Sequence, residues 1–401
     1  MNKLALIFPG QGSQYVGMGK ELCLDFPIAT ERFEEASDTL GFDLKKLCFE
    51  GNIDELTKTA NAQPAILTIS NIADELFKKE IGISPLFLAG HSLGEYSALV
   101  SSGVLTFTDA IKIVRKRGLL MQESQNSDKG KMVAIVGIEG KDLEDICLQF
   151  STNLEPVVIA CSNSINQNVI SGHTNSINKV ISKLESMAIN YSVLRVSNAF
   201  HSPMMKVAAY HLTEELNKYN FKHPKLPVIS NVTARPYNSK EEISELLVLQ
   251  MTKTVRWADT MHYLIDMGIN LAIEIGPNKV LRNLIKKSFS AVHGESIGNT
   301  KDIANIKSMI PTIEEEINNV KMLEKCITEA IILKNRNKSC EEFDGGVFVP
   351  YETLKKMVKK YHKDGMNSSE LKKALELVNL ILLTKKATEE EHNKILNKSF
   401  I

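Results

Sequence analysis

The 401-residue sequence has no surplus charge of either sign, with 48 Lys and Arg against 48 Asp and Glu. It offers no electrostatic field for a nucleic acid backbone or an acidic membrane surface, and neither is expected as a partner. It also lacks a long apolar run. No stretch reaches the roughly 20 residues that cross a bilayer. The apolar start Leu4-Ala5-Leu6-Ile7-Phe8 is broken by Pro9, too short for a signal peptide. Cys23, Cys48, Cys147, Cys161, Cys326 and Cys340 are scattered without the spacing of a metal site. Reduced thiols, no bound metal and a cytoplasmic setting are the expectation. At this length the usual domain size points to about two or three domains.

The most informative stretch is Pro85 to Val100. The apolar run Pro85-Leu86-Phe87-Leu88-Ala89 enters Gly90-His91-Ser92-Leu93-Gly94, and a helix-forming segment then continues until Gly103. Gly-x-Ser-x-Gly between a strand and a helix is the nucleophile elbow, with Ser92 on the turn. Gly90 and Gly94 lack Cβ, so strand and helix can pass close to a strained backbone. N–H groups at the helix start favour negative charge developing beside the serine. On the pentapeptide alone, a serine that merely caps the helix is the competing reading.

Before the elbow, Lys3–Phe8 reads as a buried strand and Gly10-Gln11-Gly12-Ser13-Gln14 as a loop. The spacing Gly10, Gly12, Gly17, Gly19 does not fit a dinucleotide fingerprint, and no acid closes a second strand at the right distance. A loop turning its N–H groups toward the elbow is the better reading. Helices are expected over Lys20–Asp25, Ile28–Leu40 and Pro64–Lys79, and over Thr106–Met121 with Thr108 as N-cap. In the last of these, Ala110, Ile113, Val114 and Met121 form an apolar stripe opposite Lys112, Arg115 and Lys116, with Arg117 inside the stripe. An unpaired buried charge costs several kcal/mol, so Arg117 needs an anion, either an internal Asp or Glu or the carboxylate of a substrate.

Gln125 to Gly130 is a polar boundary. Beyond it Met132–Gly137, Lys141–Phe150, Val157–Cys161, Asn168–Ser171, Thr174–Ala188 and Tyr191–Val196 read as β-α-β-β-α-β, the order of a small ferredoxin-like unit. His201 follows, held between Phe200 and Ser202-Pro203. A lone loop histidine is usually a surface or satisfied residue, but beside an elbow serine it is the candidate base. A strand at Pro227–Val232, a helix over Ile243–Val255 and a strand at Leu271–Ile275 bring the core to a close near residue 300. Pro311-Thr312-x-x-Glu315, Asn367-Ser368-Ser369-Glu370 and Thr388-x-x-Glu391 are helix starts, and Glu341–Pro350 reads as an ordered loop between helices.

Gly10–Gln14, Gly90–Tyr96, Arg117 with Met121-Gln122, Phe200-His201-Ser202 and Glu274-Ile275-Gly276-Pro277 together resemble the malonyl-CoA:acyl carrier protein transacylase family, motif by motif and in its order, over roughly residues 1 to 300. The resemblance implies an α/β fold. A large α/β-hydrolase-like lobe (1–127 and 197–304) would carry an inserted small ferredoxin-like lobe (128–196), with a helical C-terminal extension (305–401). It implies a ping-pong cycle in which Ser92 takes malonyl from malonyl-CoA and passes it to the phosphopantetheine thiol of an acyl carrier protein or a synthase carrier domain. His201 would be the base, oriented by the backbone carbonyl of Gln250, with the N–H groups of Gln11 and Leu93 as oxyanion hole. Arg117 would hold the malonyl carboxylate. Phe200 would exclude an α-methyl branch, and Gln63, His91 and Asn163 match pocket positions. No cofactor is implied, and a monomer is expected.

One departure stands out. Where the family often has a basic pair, this chain has Ile189-Asn190, which leaves Lys179, Lys183 or Arg195 for carrier docking. The tail resembles extensions on discrete acyltransferases that serve polyketide assembly lines in trans, and the plainer reading is extra packing. Housekeeping fatty-acid synthesis, an editing thioester hydrolase and a non-catalytic scaffold are the competing functions.

Overall fold

The computed structural model describes residues 3–124, 130–194, 198–364 and 366–396. The chain forms two compact units, one of residues 3–289 and 294–306, the other comprising 290–293 and the segment from 307 onward. Expectations placed on 125–129 and on Arg195 lie outside the described residues.

The larger unit contains two sheets. Strands β1 (Leu4–Phe8), β2 (Phe87–Gly90), β7 (Val228–Ile229), β8 (Leu271–Ile275) and β9 (His293–Ile297) form the first, in the order β7-β2-β1-β8-β9. β1 runs parallel to both β2 and β8, with Phe8 opposite Gly90 and Ile7 opposite Glu274. β1, β2 and β8 are buried throughout, as strands covered on both faces must be. Their carboxyl ends deliver two loops side by side, Pro9-Gly10-Gln11 from β1 and His91-Ser92 from β2, the usual place for a site in such sheets.

Strands β3 (Gly130–Val136), β4 (Val157–Ser164), β5 (Gln167–His173) and β6 (Asn190–Val193) form an antiparallel sheet in the order β4-β5-β3-β6. With the intervening helices Gly140–Phe150 and Thr174–Ser186, this is the ferredoxin-like arrangement. The period of two divides its side chains. Val133, Ile135 and Ile170 pack with Leu143, Ile177 and Val180 of the two helices, while Met132, Ala134 and Val169 face a cavity on the other side. Val255 pairs with β4 of this sheet, accepting from Ser162 N at 3.0 Å and donating to the Ala160 carbonyl at 2.8 Å.

Several elements differ from expectation. The helix expected from Pro64 runs over Thr59–Glu80, with Pro64 inside it. Pro64 has no N–H for the Ala60 carbonyl, and Arg115 Nη1 supplies the missing donor at 2.8 Å. The Phe107–Glu123 helix is capped by Thr106, whose Oγ1 accepts from Asp109 N, whereas Thr108 donates to Glu35. The helix expected over Ile243–Val255 spans Glu241–Gln250, because Val255 is drawn into pairing beside β4.

A 33-residue helix, Thr300–Ile332, passes through Pro311 rather than beginning there, and from residue 307 onward it belongs to the smaller unit. Residues 341–350 are helical, not a loop: Cys340–Phe343 leads through a π-turn at Asp344–Phe348 into Val349–Asp364. A Cβ at Gly346 would meet Thr384 Oγ1 at 2.1 Å, so the glycine there serves close helix packing. Asn367 and Glu370 form a capping box at the start of Ser368–Thr384. Lys385 Nζ closes the end of the long helix on the carbonyls of Ala330, Ile331 and Leu333 at 2.6–3.0 Å. Leu323, Ala330, Leu354, Val378 and Ile381 form a core for this unit. Among the described residues no helix is long and apolar enough to cross a membrane.

Candidate active site

Ser92 sits between β2 and the helix Leu93–Ser101 at φ 51° and ψ −103°. A non-glycine residue held there costs about 1–3 kcal/mol, so its surroundings must impose the conformation. A Cβ at Gly90 would lie 1.9 Å from the Gly94 carbonyl carbon, and one at Gly94 would lie 2.0 Å from the Phe8 carbonyl oxygen. Bare glycines therefore let strand and helix close on the turn. Asn231, just beyond β7, clasps it from behind: Oδ1 accepts from Ser92 N at 2.7 Å and Nδ2 donates to the Gly90 carbonyl at 2.6 Å.

Ser92 Oγ lies 2.8 Å from His201 Nε2, and His201 Nδ1 lies 2.7 Å from the Gln250 carbonyl oxygen. A carbonyl only accepts, so Nδ1 carries the proton and Nε2 turns its lone pair to the serine hydroxyl. His201 is also at positive φ, 54°. Ser202 pins its loop, donating to the Ala199 carbonyl at 2.6 Å and accepting from Met204 N at 3.3 Å. Burial, aided by the charge of Arg117, pulls the imidazole down to about 3. It is therefore neutral and free to take a proton at ordinary pH.

Arg117, only 1% exposed, donates through Nη1 to Gln63 Oε1 at 2.8 Å and through Nη2 to Gln250 Oε1 at 2.9 Å and Ser92 Oγ at 3.2 Å. Its Nε has no partner, and its guanidinium carbon lies 5.3 Å from the Tyr96 ring centroid. These acceptors are all neutral. Among the described residues no carboxylate pairs with it, and the guanidinium faces the cavity as an anion site.

That cavity, about 490 Å3, brings Ser92, His201 and Arg117 together with Gln11, Leu93 and Phe200. His91 and Asn163 are also in its wall, their Nε2 and Oδ1 2.9 Å apart. Gln63, expected at the substrate, stands behind the wall instead. It is fully buried, and its amide is committed to Arg117 and to Met121 Sδ at 3.4 Å. Gln250 likewise works from behind. Lys179 and Lys183 are exposed on the Thr174–Ser186 helix, which covers the sheet face turned away from the cavity.

Glu95, Asn231 and Tyr237 went unassigned from the sequence. Glu95 is fully buried one turn after Ser92. It accepts from Gln250 Nε2 at 2.6 Å, from Asn231 N at 3.2–3.3 Å and from the Tyr237 hydroxyl. Burial lifts its carboxyl to about 7, against those donors and the charge of Arg117, which pull it down. An acid directly before the largely apolar segment Tyr96-Ser97-Ala98-Leu99 is the one signal that could have found it.

The acyl transferase domain model matches residues 5–332. The malonyl CoA-acyl carrier protein transacylase of Bacillus subtilis is 44% identical over 400 residues, 99% of this chain and 100% of that protein, so the likeness extends through the C-terminal helices. FabD from Acinetobacter baumannii superposes with a TM-score of 0.75 at 37% identity, covering 78% of this chain and 99% of that one. A malonyl-transacylase solved in complex with its type II PKS acyl-carrier protein gives 0.74 at 35% identity, covering 77% and 99%.

Proposed function

Because the chain belongs to the malonyl CoA-acyl carrier protein transacylase family, an enzyme family of acyl carrier protein S-malonyltransferases, we propose that its transfer runs through a malonyl ester on Ser92. The observation that carries this reading is the contact of one hydroxyl with both a neutral imidazole and an unpaired guanidinium, at 2.8 and 3.2 Å.

In the first half-reaction His201 Nε2 takes the Ser92 proton as Oγ bonds to the thioester carbonyl carbon of malonyl-CoA. Collapse of the tetrahedral adduct breaks the C–S bond, and the imidazolium returns the proton to the departing sulfur. In the second, the phosphopantetheine thiol of the carrier gives its proton to Nε2. Its sulfur attacks the ester, and Ser92 Oγ leaves with that proton. The N–H groups of Gln11 and Leu93 stabilise both adducts, each donor contributing about 3 kcal/mol. Arg117 holds the malonyl carboxylate, and Phe200 narrows the site against a methyl branch. These steps call for no cofactor beyond the two thiols.

The carrier is an acyl carrier protein. We assign the chain to in-trans loading of a polyketide-type assembly line in the cytoplasm, as a monomer, on the strength of its ordered helical extension. Its likeness to FabD supports the alternative, a housekeeping role in fatty-acid synthesis. An editing hydrolase is disfavoured, since a buried cation gains nothing from uncharged acyl chains. Incubation with radiolabelled malonyl-CoA tests the intermediate: label should stay on denatured wild-type protein and be absent from Ser92→Ala. Relative rates with a fatty-acid carrier protein and a polyketide carrier domain decide the pathway.

A further inference from the structure

We propose that Glu95 is a positioning residue that holds nucleophile, base and carboxylate clamp in one register through Gln250 and Asn231. The inference rests on the malonyl-transfer reading of this site and adds a residue to it.

Gln250 is the junction. Its backbone carbonyl takes the His201 Nδ1 proton at 2.7 Å, its Oε1 accepts from Arg117 Nη2 at 2.9 Å, and its Nε2 reaches Glu95 Oε2 at 2.6 Å and the Ser92 carbonyl at 3.0 Å. The Tyr237 hydroxyl and the Asn231 N–H both donate to Glu95 and favour its ionised form, which only accepts, so Glu95 compels the amide to present its NH2 and thereby turns Oε1 to Arg117. Were the amide reversed, its NH2 would face the guanidinium, donor against donor.

A second arm runs through Asn231. Its backbone N–H rests on both Glu95 oxygens, and its side chain bridges Ser92 N and the Gly90 carbonyl. The same carboxylate thus steadies the strained turn that carries the nucleophile. Three donors, from Tyr237, Gln250 and Asn231, converge on its two oxygens. That set suits a carboxylate and leaves an amide with one NH2 facing a donor. A buried acid is costly where only packing is needed, and apolar residues fill such positions as well or better.

The test compares kcat/KM for malonyl-CoA and acetyl-CoA in Glu95→Gln, alongside thermal unfolding. Acetyl-CoA makes no use of the clamp, so a loosened Arg117 lowers the malonyl to acetyl ratio. Malonyl transfer is expected to fall about tenfold or more, as the loss of a charged hydrogen bond implies, and acetyl transfer by less. In an Arg117→Ala background, Glu95→Gln no longer moves the ratio. If Glu95→Gln does not fold, Tyr237→Phe removes one of the three donors and is read the same way, with a smaller drop. An unchanged ratio, or equal losses with both substrates tracking a lower Tm, overturns the proposal. Malonyl transfer by Ser92→Ala would sink the acyl-enzyme reading alone, while the malonyl to acetyl ratio of Glu95→Gln decides the Glu95 proposal.

Discussion

Ser92 Oγ and Arg117 Nη2 lie 3.2 Å apart, so the proposed nucleophile and the proposed carboxylate clamp touch each other before any substrate arrives. In the proposed mechanism a malonyl group would span that contact, its thioester carbon at Oγ and its free carboxylate, two carbons on, at the guanidinium. Both ends of the substrate are thus measured from one point.

Replacing Arg117 by Ala is therefore expected to cut kcat/KM for malonyl-CoA by about 10- to 200-fold, the value of a hydrogen bond to a charged group, and to spare acetyl-CoA. Arg117→Lys recovers little, because a single ammonium cannot serve Gln63, Gln250 and a carboxylate in the planar fork that Arg117 uses. Parallel steady-state rates with the two thioesters check this. Equal losses with both would mean that the arginine only supports the fold.

The base has a pH signature. An ordinary histidine titrates near 6.5, and the His201 imidazole is drawn down to about 3 by burial first and by Arg117 second. Catalysis needs the neutral ring, and a depressed value keeps it neutral as pH falls. The kcat/KM profile of the free enzyme should thus show no acid limb near pH 6.5 and remain level toward pH 5. Removing the guanidinium in Arg117→Ala takes away one depressing charge, so any acid limb moves to higher pH. A tenfold loss per unit below 6.5 in the wild type would contradict the buried, uncharged ring.

Legibility in the sequence followed the range of the interactions. The elbow is local, since Gly90, Ser92 and Gly94 dictate one turn by their own backbone needs, and it was readable. Arg117 was readable as a charge within an apolar stripe, but what surrounds it was not. Gln63 is 54 residues away and Gln250 is 133. Glu95 was in plain view, yet its role depends on Asn231 and Gln250, 136 and 155 residues downstream. Pro64 misled because a proline near a helix start is ordinarily its first residue. Here a side chain from another helix makes an interior proline tolerable. The π-turn at Asp344–Phe348 was hidden for a similar reason, as Gly346 answers to Thr384 and not to its neighbours.

The repair at Pro64 can be tested on its own. Arg115 Nη1 serves the orphaned Ala60 carbonyl at 2.8 Å and Asn61 Oδ1 at 2.6 Å. Arg115→Met should destabilise the larger unit by about 1–3 kcal/mol, the cost of an unmade hydrogen bond. Pro64→Ala restores an N–H to the helix, so Arg115→Met should cost less in that background, with a coupling of about 1 kcal/mol. Denaturant unfolding of the four proteins measures it. Strict additivity would show that Arg115 acts elsewhere, for instance through its contact with the Phe42 ring.

The proposed acyl-chain choice rests on Phe200, which lines the cavity immediately before His201 and is 6% exposed. In that proposal its ring and the Arg117 clamp would restrict the same substrate in different ways, one by volume and the other by charge. Shrinking the ring in Phe200→Leu leaves the clamp intact and frees space for an α-methyl branch. Methylmalonyl-CoA should gain on malonyl-CoA by about 10- to 200-fold, the discrimination that one methylene commands in an apolar pocket. Any stability lost to the smaller side chain cancels in that ratio, since both thioesters meet the same enzyme preparation. If the ratio stays fixed while both rates fall, Phe200 is supporting the His201 loop, and selection against the branch must come from Met121 or another apolar residue of the cavity wall.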